Sequence, residues 1–307
     1  MTAHVGLGIA IPQTFPDRPI DPRAIRRFLA RAEALNYQSA WVVDHLMGEL
    51  PALDAIELLT WASGVTERIR LGAAVLLTAL RSPVHLAKSL ATLDHLSQGR
   101  LVVGVGLGGN PGAYPVVGLP PERRAARFAE GIRLMTRLWT ESRVNVAGDF
   151  WTLKDVTIEP KPFQKPHPPL WFGAHHPNAL RRAVELGQGF MGAGSASTAT
   201  FAEEVKVLEG MLRSAGRDPA TFPIGKRVYI AVDRDRQRAG KRLAEWFAGF
   251  YGRAQLAEEV SVWGSRDECV EGLRAVVAAG ARLLVLNPVF DEMEHLEQLA
   301  AEVGPAL

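Results

Sequence analysis

Residues 69–106 constrain the fold of this chain more than any other segment. They read IRLGAAVLLTALRSPVHLAKSLATLDHLSQGRLVVGVG, with two continuous apolar runs that are typical of strands buried on both faces. Ser82 and Pro83 suit the start of a helix between the runs, and one face of that helix carries Leu86, Leu90, Leu93 and Leu96. A strand, a helix and a strand in this order predict two parallel strands joined by a right-handed crossover.

The same alternation continues along the whole chain. Apolar runs predict eight strands, at residues 5–11, 39–45, 69–77, 101–106, 169–174, 189–194, 224–232 and 281–289. We therefore expect an α/β fold, a (β/α)8 TIM barrel that occupies residues 1–307 as one domain. Three segments interrupt the repeat and are interpreted as insertions, at about 107–121, 142–168 and 233–264. A doubly wound sheet is less favoured, because the first unit carries no dinucleotide fingerprint.

Composition excludes several classes of function. A net charge of +2 gives no reason to expect a nucleic-acid partner. The single cysteine, Cys269, permits neither an internal disulfide nor a cysteine metal cluster. No apolar stretch reaches the length of a membrane span, and MTAHVGLGIAIP lacks the basic start of a signal peptide. We therefore expect a cytoplasmic protein that acts on small molecules, away from membranes.

In such a barrel the functional site lies at the C-terminal ends of the strands. Small residues dominate three of these ends, which lets a flat ring or a phosphate approach the backbone. Residues 174–178 also run into a helix whose first N–H groups would hold an anion. Together they favour a phosphate-bearing cofactor. The strand ends supply Asp44, His45, Leu77, Gly106, Leu107, Gly108, Gly173, Ala174, His175, His176 and Ala193 as candidate site residues.

Among these residues His45 is the main catalytic candidate, because an imidazole can give or take a proton near neutral pH. The alternative is a structural histidine that follows a capping aspartate, Asp44. His175 and His176 are adjacent on a turn, with no third ligand at a suitable spacing, so we expect no metal site. No GxSxG segment or Cys-His pair indicates nucleophilic catalysis.

Two longer motifs carry a family resemblance. RSPVHLAKSLATLDHLSQGRLVVGVGLG (81–108) and PKPFQKPHPPLWFGA (160–174) resemble the corresponding segments of the bacterial luciferase-like monooxygenase superfamily. The resemblance spans the barrel in order and implies a (β/α)8 fold that uses FMN or the deazaflavin coenzyme F420. WVVDH (41–45) resembles the Asp-His ending of the F420-dependent reductases and dehydrogenases.

The resemblance to the F420-dependent branch implies roles for individual residues. His45 would lie beside the deazaflavin ring and Asp44 near the cofactor. A non-proline cis peptide bond, here between Ala74 and Val75, would form a bulge behind the ring. The phosphate and side-chain end of the cofactor would then meet Leu107, Gly108, Gly173, Ala174, His175 and His176.

Departures from the F420-dependent sugar-phosphate dehydrogenases argue against a sugar phosphate as substrate. The segment 46–50 lacks their tryptophan, Gly109-Asn110 stands in place of their glutamate, and 194–196 replaces their lysine with small residues. The apolar loop 116–121 and Trp151 suggest a less polar pocket.

We therefore expect an F420-dependent oxidoreductase that transfers a hydride between the cofactor and a small organic substrate. One alternative is an FMN-dependent monooxygenase that takes reduced flavin from a reductase partner and activates oxygen. Another is a non-catalytic flavin-binding protein on the same fold. The resemblance also implies a homodimer, to which Trp61 and Leu86 could contribute.

Overall fold

A computed structural model describes residues 5–307, and the expectation about the first residues of the chain therefore falls partly outside the described part. Twelve strands occur in it. They are β1 (Gly6–Ala10), β2 (Ser39–Val42), β3 (Arg70–Ala73), β4 (Leu76–Leu77), β5 (Leu101–Gly106), β6 (Val144–Ala147), β7 (Thr152–Val156), β8 (Leu170–Phe172), β9 (Gly189–Gly192), β10 (Ile224–Val232), β11 (Val262–Gly264) and β12 (Leu283–Asn287).

Helices connect the strands. They are α1 (Pro22–Ala34), α2 (Ala55–Ser63), α3 (Pro83–Leu96), α4 (Ala113–Val116), α5 (Arg124–Thr140), α6 (Pro177–Leu186), α7 (Thr198–Ser214), α8 (Arg236–Tyr251), α9 (Leu256–Val260), α10 (Arg266–Ala278) and α11 (Glu292–Gln298). None of these helices combines the length and the apolar character needed to cross a bilayer, as far as residues 5–307 are concerned.

Eight strands close into a parallel barrel in the order β10, β12, β1, β2, β3, β5, β8, β9 and back to β10. Parallel pairing joins each neighbouring pair, including β9 with β10, where Ile224 lies opposite Phe190. The predicted (β/α)8 TIM barrel is therefore confirmed. Because every strand runs in the same direction, all eight carboxyl ends open at one side, which we call the mouth.

Local sequence explains most element boundaries. Ser82 caps α3 and Pro83 occupies its first turn, as predicted, while Leu86, Leu90 and Leu93 are buried against the barrel. The predicted strand 69–77 is divided into β3 and β4, because the chain bulges at residues 74–75. Residues 144–156 form the expected antiparallel hairpin, β6 with β7.

Two further elements were not expected. α4 lies within the loop 107–121, and β11 pairs with the far end of β10 outside the barrel. Both are too short to give a periodic signal in sequence. The interpretation of the chain as one domain with three insertions stays a prediction.

The lower part of the barrel is filled by large side chains, as in other closed eight-stranded barrels. Trp41 and Trp171 meet with ring centroids 5.6 Å apart. Val102, Met191 and Val285 pack around them, and each is almost completely buried. This packing closes the lower end of the barrel.

Candidate active site

Asp44 and Arg81 form a buried ion pair at the mouth. Asp44 follows β2, and its side chain is only 1% exposed. Its Oδ1 accepts from Nη2 of Arg81 at 2.9 Å, and its Oδ2 accepts from the amide of Leu77 at 2.9 Å. Nη2 of Arg81 also donates to Asp54, which caps α2, at 3.0 Å. The pair thus ties the end of β2 to β4 and to two helices.

His45 directly follows Asp44 in the chain, but within the described residues its side chain is not held by hydrogen bonds as that of Asp44 is. Neither of its ring nitrogens has a hydrogen-bond partner within residues 5–307, and the side chain is half-buried. Its ring stacks on Phe250 of α8, with centroids 4.6 Å apart and an interplanar angle of 29°. Burial lowers the pKa of His45, although the charge of Asp44 acts in the opposite direction. A neutral imidazole with free nitrogens is able to accept a proton or a hydrogen bond.

Aromatic side chains of α8 cover this side of the mouth. Phe250 stacks in turn on Trp246, with centroids 4.6 Å apart and an interplanar angle of 13°. The three rings of His45, Phe250 and Trp246, which we call the ring stack, therefore continue from β2 across the barrel opening. Phe250 of this stack covers part of the His45 ring.

The floor of the mouth is built around residues 74 and 75. The Ala74–Val75 peptide bond is cis, as the family resemblance implies. The amide of Ala74 donates to the Val42 carbonyl of β2 at 2.7 Å, so the bulge lies directly beside the strand that leads to His45. A Cβ atom at Gly106 would lie 2.4 Å from Cγ2 of Val75, so glycine is required for this close approach. Val75 remains partly exposed toward the mouth.

Backbone amides of two neighbouring loops face the same side. The amides of Gly108, Ala174 and His175 donate to no other atom of the described residues. Gly108 adopts a left-handed conformation with φ of 81°, which turns the chain sharply after β5. Free amides at the carboxyl ends of β5 and β8 suit an anionic group. The bulge and these amides together fit a cofactor with a flat ring and a phosphate.

The remaining predicted site residues make contacts of their own. Nδ1 of His175 lies 2.7 Å from Oε1 of Glu204, and Nδ1 of His176 caps α6 by accepting from the Asn178 amide at 3.2 Å. The Leu107 carbonyl accepts from the hydroxyl of Tyr114 at 2.9 Å. The Ala193 carbonyl accepts from the Lys226 ammonium. The Gly173 amide donates to the Val105 carbonyl of β5 at 3.0 Å. The side chains of His175 and His176 are thus hydrogen-bonded, while the amides of Ala174 and His175 have no acceptor in the described residues.

An open cavity lies between the ends of β1, β2, β10 and β12, with an empty volume of about 460 Å³ that includes space open to solvent. Its walls include Trp246 and Phe250 of the ring stack and the polar side chains of Arg227, Tyr229 and Asn287. Sequence reasoning missed Arg227 and Tyr229. Their signal was an Arg-x-Tyr alternation, which places both side chains on one face of β10.

The chain is similar to known proteins along most of its length. The family model described as luciferase-like monooxygenase matches residues 5–261. An F420-dependent glucose-6-phosphate dehydrogenase of Intrasporangium calvum is 30% identical over 323 residues, covering 93% of this chain and 95% of the relative.

Two solved structures share the fold. An F420-dependent secondary alcohol dehydrogenase in complex with an F420-acetone adduct superposes with a TM-score of 0.86, at 22% identity and 98% coverage of both chains. The oxygenating constituent of a 3,6-diketocamphane monooxygenase of Pseudomonas putida, in complex with FMN, gives a TM-score of 0.78 at 17% identity, covering 99% of this chain and 98% of that one. At these identities the likeness shows the fold alone.

Proposed function

We propose that this chain, which belongs to the luciferase-like monooxygenase family, is an F420-dependent oxidoreductase that transfers a hydride between the cofactor and a small organic substrate. The observation that carries the proposal is the pairing of an unbonded His45 with the bulge at residues 74–75, on adjacent strands at the mouth. The near full-length similarity to the F420-dependent dehydrogenase of Intrasporangium calvum supports the choice of cofactor.

The chain offers a distinct surface to each part of such a cofactor. Ala74 and Val75, with Leu77 and Gly106 beside them, would support the ring. The free amides of Gly108, Ala174 and His175 would hold the phosphate. When bound, F420 supplies a ring carbon that takes up or releases a hydride. Asp44 acts in this scheme as a positioning residue, because Arg81 and the Leu77 amide already occupy its carboxylate.

His45 would manage the proton that accompanies the hydride. Its ring stacks on Phe250, which lines the cavity. A substrate bound in the cavity would bring its oxygen toward the neutral imidazole. During oxidation of an alcohol the ring would accept the hydroxyl proton, and during reduction of a carbonyl it would return one. The ring stack would keep water from competing for this position.

A titration followed by turnover assays tests the proposal. We expect the protein to bind F420, which is followed by fluorescence quenching, more tightly than FMN. His45→Ala should retain F420 binding and lose turnover with alcohols, enones or imines, whereas the exposed His85→Ala serves as a matched control and should behave like the wild type. Equal turnover by the His45→Ala and wild-type proteins would exclude the proton role.

The FMN-dependent alternative keeps one supporting observation, the shared fold with an FMN-bound monooxygenase subunit. The same titration separates the two. Preference for FMN, with oxygen consumption when reduced flavin is supplied by a reductase, would replace our proposal. Tight F420 binding with no turnover over the whole substrate panel would favour the non-catalytic alternative.

We also propose that the protein forms a homodimer. Trp61 of α2 is 37% exposed and is available for a contact between subunits, whereas Leu86 is 3% exposed and packs within its own barrel. Light scattering of the wild type and Trp61→Glu proteins tests this assembly. A wild-type mass equal to that of one 33.4 kDa chain would refute it.

A further inference from the structure

Arg227 is a buried cation without a counterion. It lies on β10, faces the mouth and is 4% exposed. No carboxylate within residues 5–307 lies within salt-bridge distance of its guanidinium. Burying an unpaired charge is costly, so a fold rarely retains one unless a ligand completes it.

Only part of the guanidinium is engaged. Nη2 donates to the hydroxyl of Tyr251 at 3.0 Å and to that of Tyr229. Nε is fully buried and has no partner, and Nη1 donates to no atom of the described residues. A Cβ atom at Gly194 would lie 2.6 Å from Nε, so only glycine leaves room for this side chain.

The two tyrosines add a further donor. Their hydroxyl oxygens lie 2.8 Å apart, so one hydroxyl hydrogen is used in the bond between them. The second hydroxyl hydrogen has no acceptor in the described part of the chain and can point into the cavity. Burial raises the pKa of Tyr229 well above its ordinary value, so this phenol keeps its proton.

Other charges near the cavity are already satisfied. Glu292 lines it, but both carboxylate oxygens accept from Nη2 of Arg18, at 2.6 and 2.7 Å. The neighbouring Lys226 points to the outer face of the strand, where it donates to the carbonyls of Ala193 and Ala196. Arg227 is therefore the cation that a ligand in this cavity meets.

We propose that Arg227, with Tyr229 and Tyr251, binds a carboxylate of the substrate, so that the substrate class is small organic acids. A single guanidinium and one hydroxyl match the charge and the two oxygens of a carboxylate. A phosphate dianion carries a second negative charge, and Arg227 is the one cationic side chain among the described residues that line the cavity. Assigning the carboxylate to the substrate rests on the proposed function, whereas binding of the carboxylate itself does not.

The test compares carboxylates with their neutral amides on the F420-loaded protein. Acetate, butyrate and benzoate, and the matching amides, are titrated by calorimetry into the wild type, Arg227→Met and Arg227→Lys proteins. We expect at least one acid to bind the wild type about tenfold to a hundredfold more tightly than its amide. Arg227→Met should abolish that preference, and Arg227→Lys should keep part of it. Arg143→Met, which changes an exposed arginine, is the control.

Two outcomes would overturn the inference. One is that no acid binds the wild type better than its amide at the highest soluble concentration. The other is that Arg227→Met keeps the preference. If Arg227→Met does not fold, Tyr251→Phe provides the second variant, and it should weaken acid binding while leaving amide binding unchanged.

F420 quenching measured on the same samples separates the two proposals. Normal F420 binding without acid preference refutes the inference alone. Acid preference without F420 binding refutes the proposed function alone.

Discussion

Replacing Arg81 by methionine tests how strongly the buried ion pair holds the mouth together. Arg81→Met keeps the length of the side chain but leaves the Asp44 carboxylate, 1% exposed, with the Leu77 amide as its remaining donor. Removing one partner of a buried pair costs about 3–5 kcal/mol. Because the Arg81 side chain is 25% exposed, water can replace part of the lost interaction. We therefore expect the free energy of unfolding to fall by about 3 kcal/mol, the lower end of this range.

Urea unfolding, monitored by tryptophan fluorescence, measures this loss. The urea concentration at the midpoint should fall, while the dependence of the unfolding free energy on urea concentration should stay unchanged. The control is Arg143→Met, because the Arg143 and Asp155 side chains are 61% and 63% exposed and their pair should contribute less than about 0.5 kcal/mol. The double variant Arg81→Met/Asp44→Asn should be more stable than Arg81→Met, since it removes the uncompensated charge. The reasoning is refuted if Arg81→Met loses no more than the control, or if Asp44→Asn gives no recovery.

Three further predictions concern the mouth and strand β10. Phe250→Leu should lower kcat/KM about threefold to tenfold at unchanged F420 affinity, because an aromatic pair contributes about 0.5–1.5 kcal/mol; steady-state kinetics showing no change would contradict this. Since burial lowers the pKa of His45 from its ordinary value of 6.5, its neutral form persists to lower pH, so the acid limb of the kcat/KM profile should lie below pH 6.5. A limb above pH 6.5 would assign the proton to another group. Burial and the charge of Arg227 lower the pKa of Lys226 to about 7, so its stabilising effect is present at high pH and lost as pH falls through about 7. The stability of the wild type relative to Lys226→Met should therefore rise by about 1–2 kcal/mol between pH 7 and 9, and parallel unfolding profiles would rule out the shift.

The barrel itself was predictable because each strand carries a strong local signal. Continuous apolar runs such as 101–106, bounded by helix caps and prolines, specify a buried parallel strand without reference to distant residues. The position of the cis bond between Ala74 and Val75 was predictable only from the family resemblance, since nothing in the local pattern marks it.

The arrangement of side chains around the candidate site was harder to predict from the sequence. The partner of Asp44 is 37 residues away, and the pairing depends on how β2 and β4 meet rather than on any spacing. The ring that stacks on His45 comes from α8, more than two hundred residues further along the chain. Sequence order carries no signal for such contacts. The Arg-x-Tyr alternation of β10 was the one readable sign, and it needed the barrel geometry to show which face is the inner one.

The contribution of α8 has a consequence for how relatives of this chain can diverge. Its residues Trp246 and Phe250 line the cavity beside Arg227, yet the helix takes no part in the ladder of strands that carries residues 74–75 and the free amides. Under the proposed function, substitutions or length changes within residues 236–251 would alter which molecules are accepted, whereas the residues proposed to hold the coenzyme lie outside this segment. Under selection for a new reaction, we expect the favourable substitutions to occur in this segment. Exchanging the segment between homologues should exchange their substrate preferences.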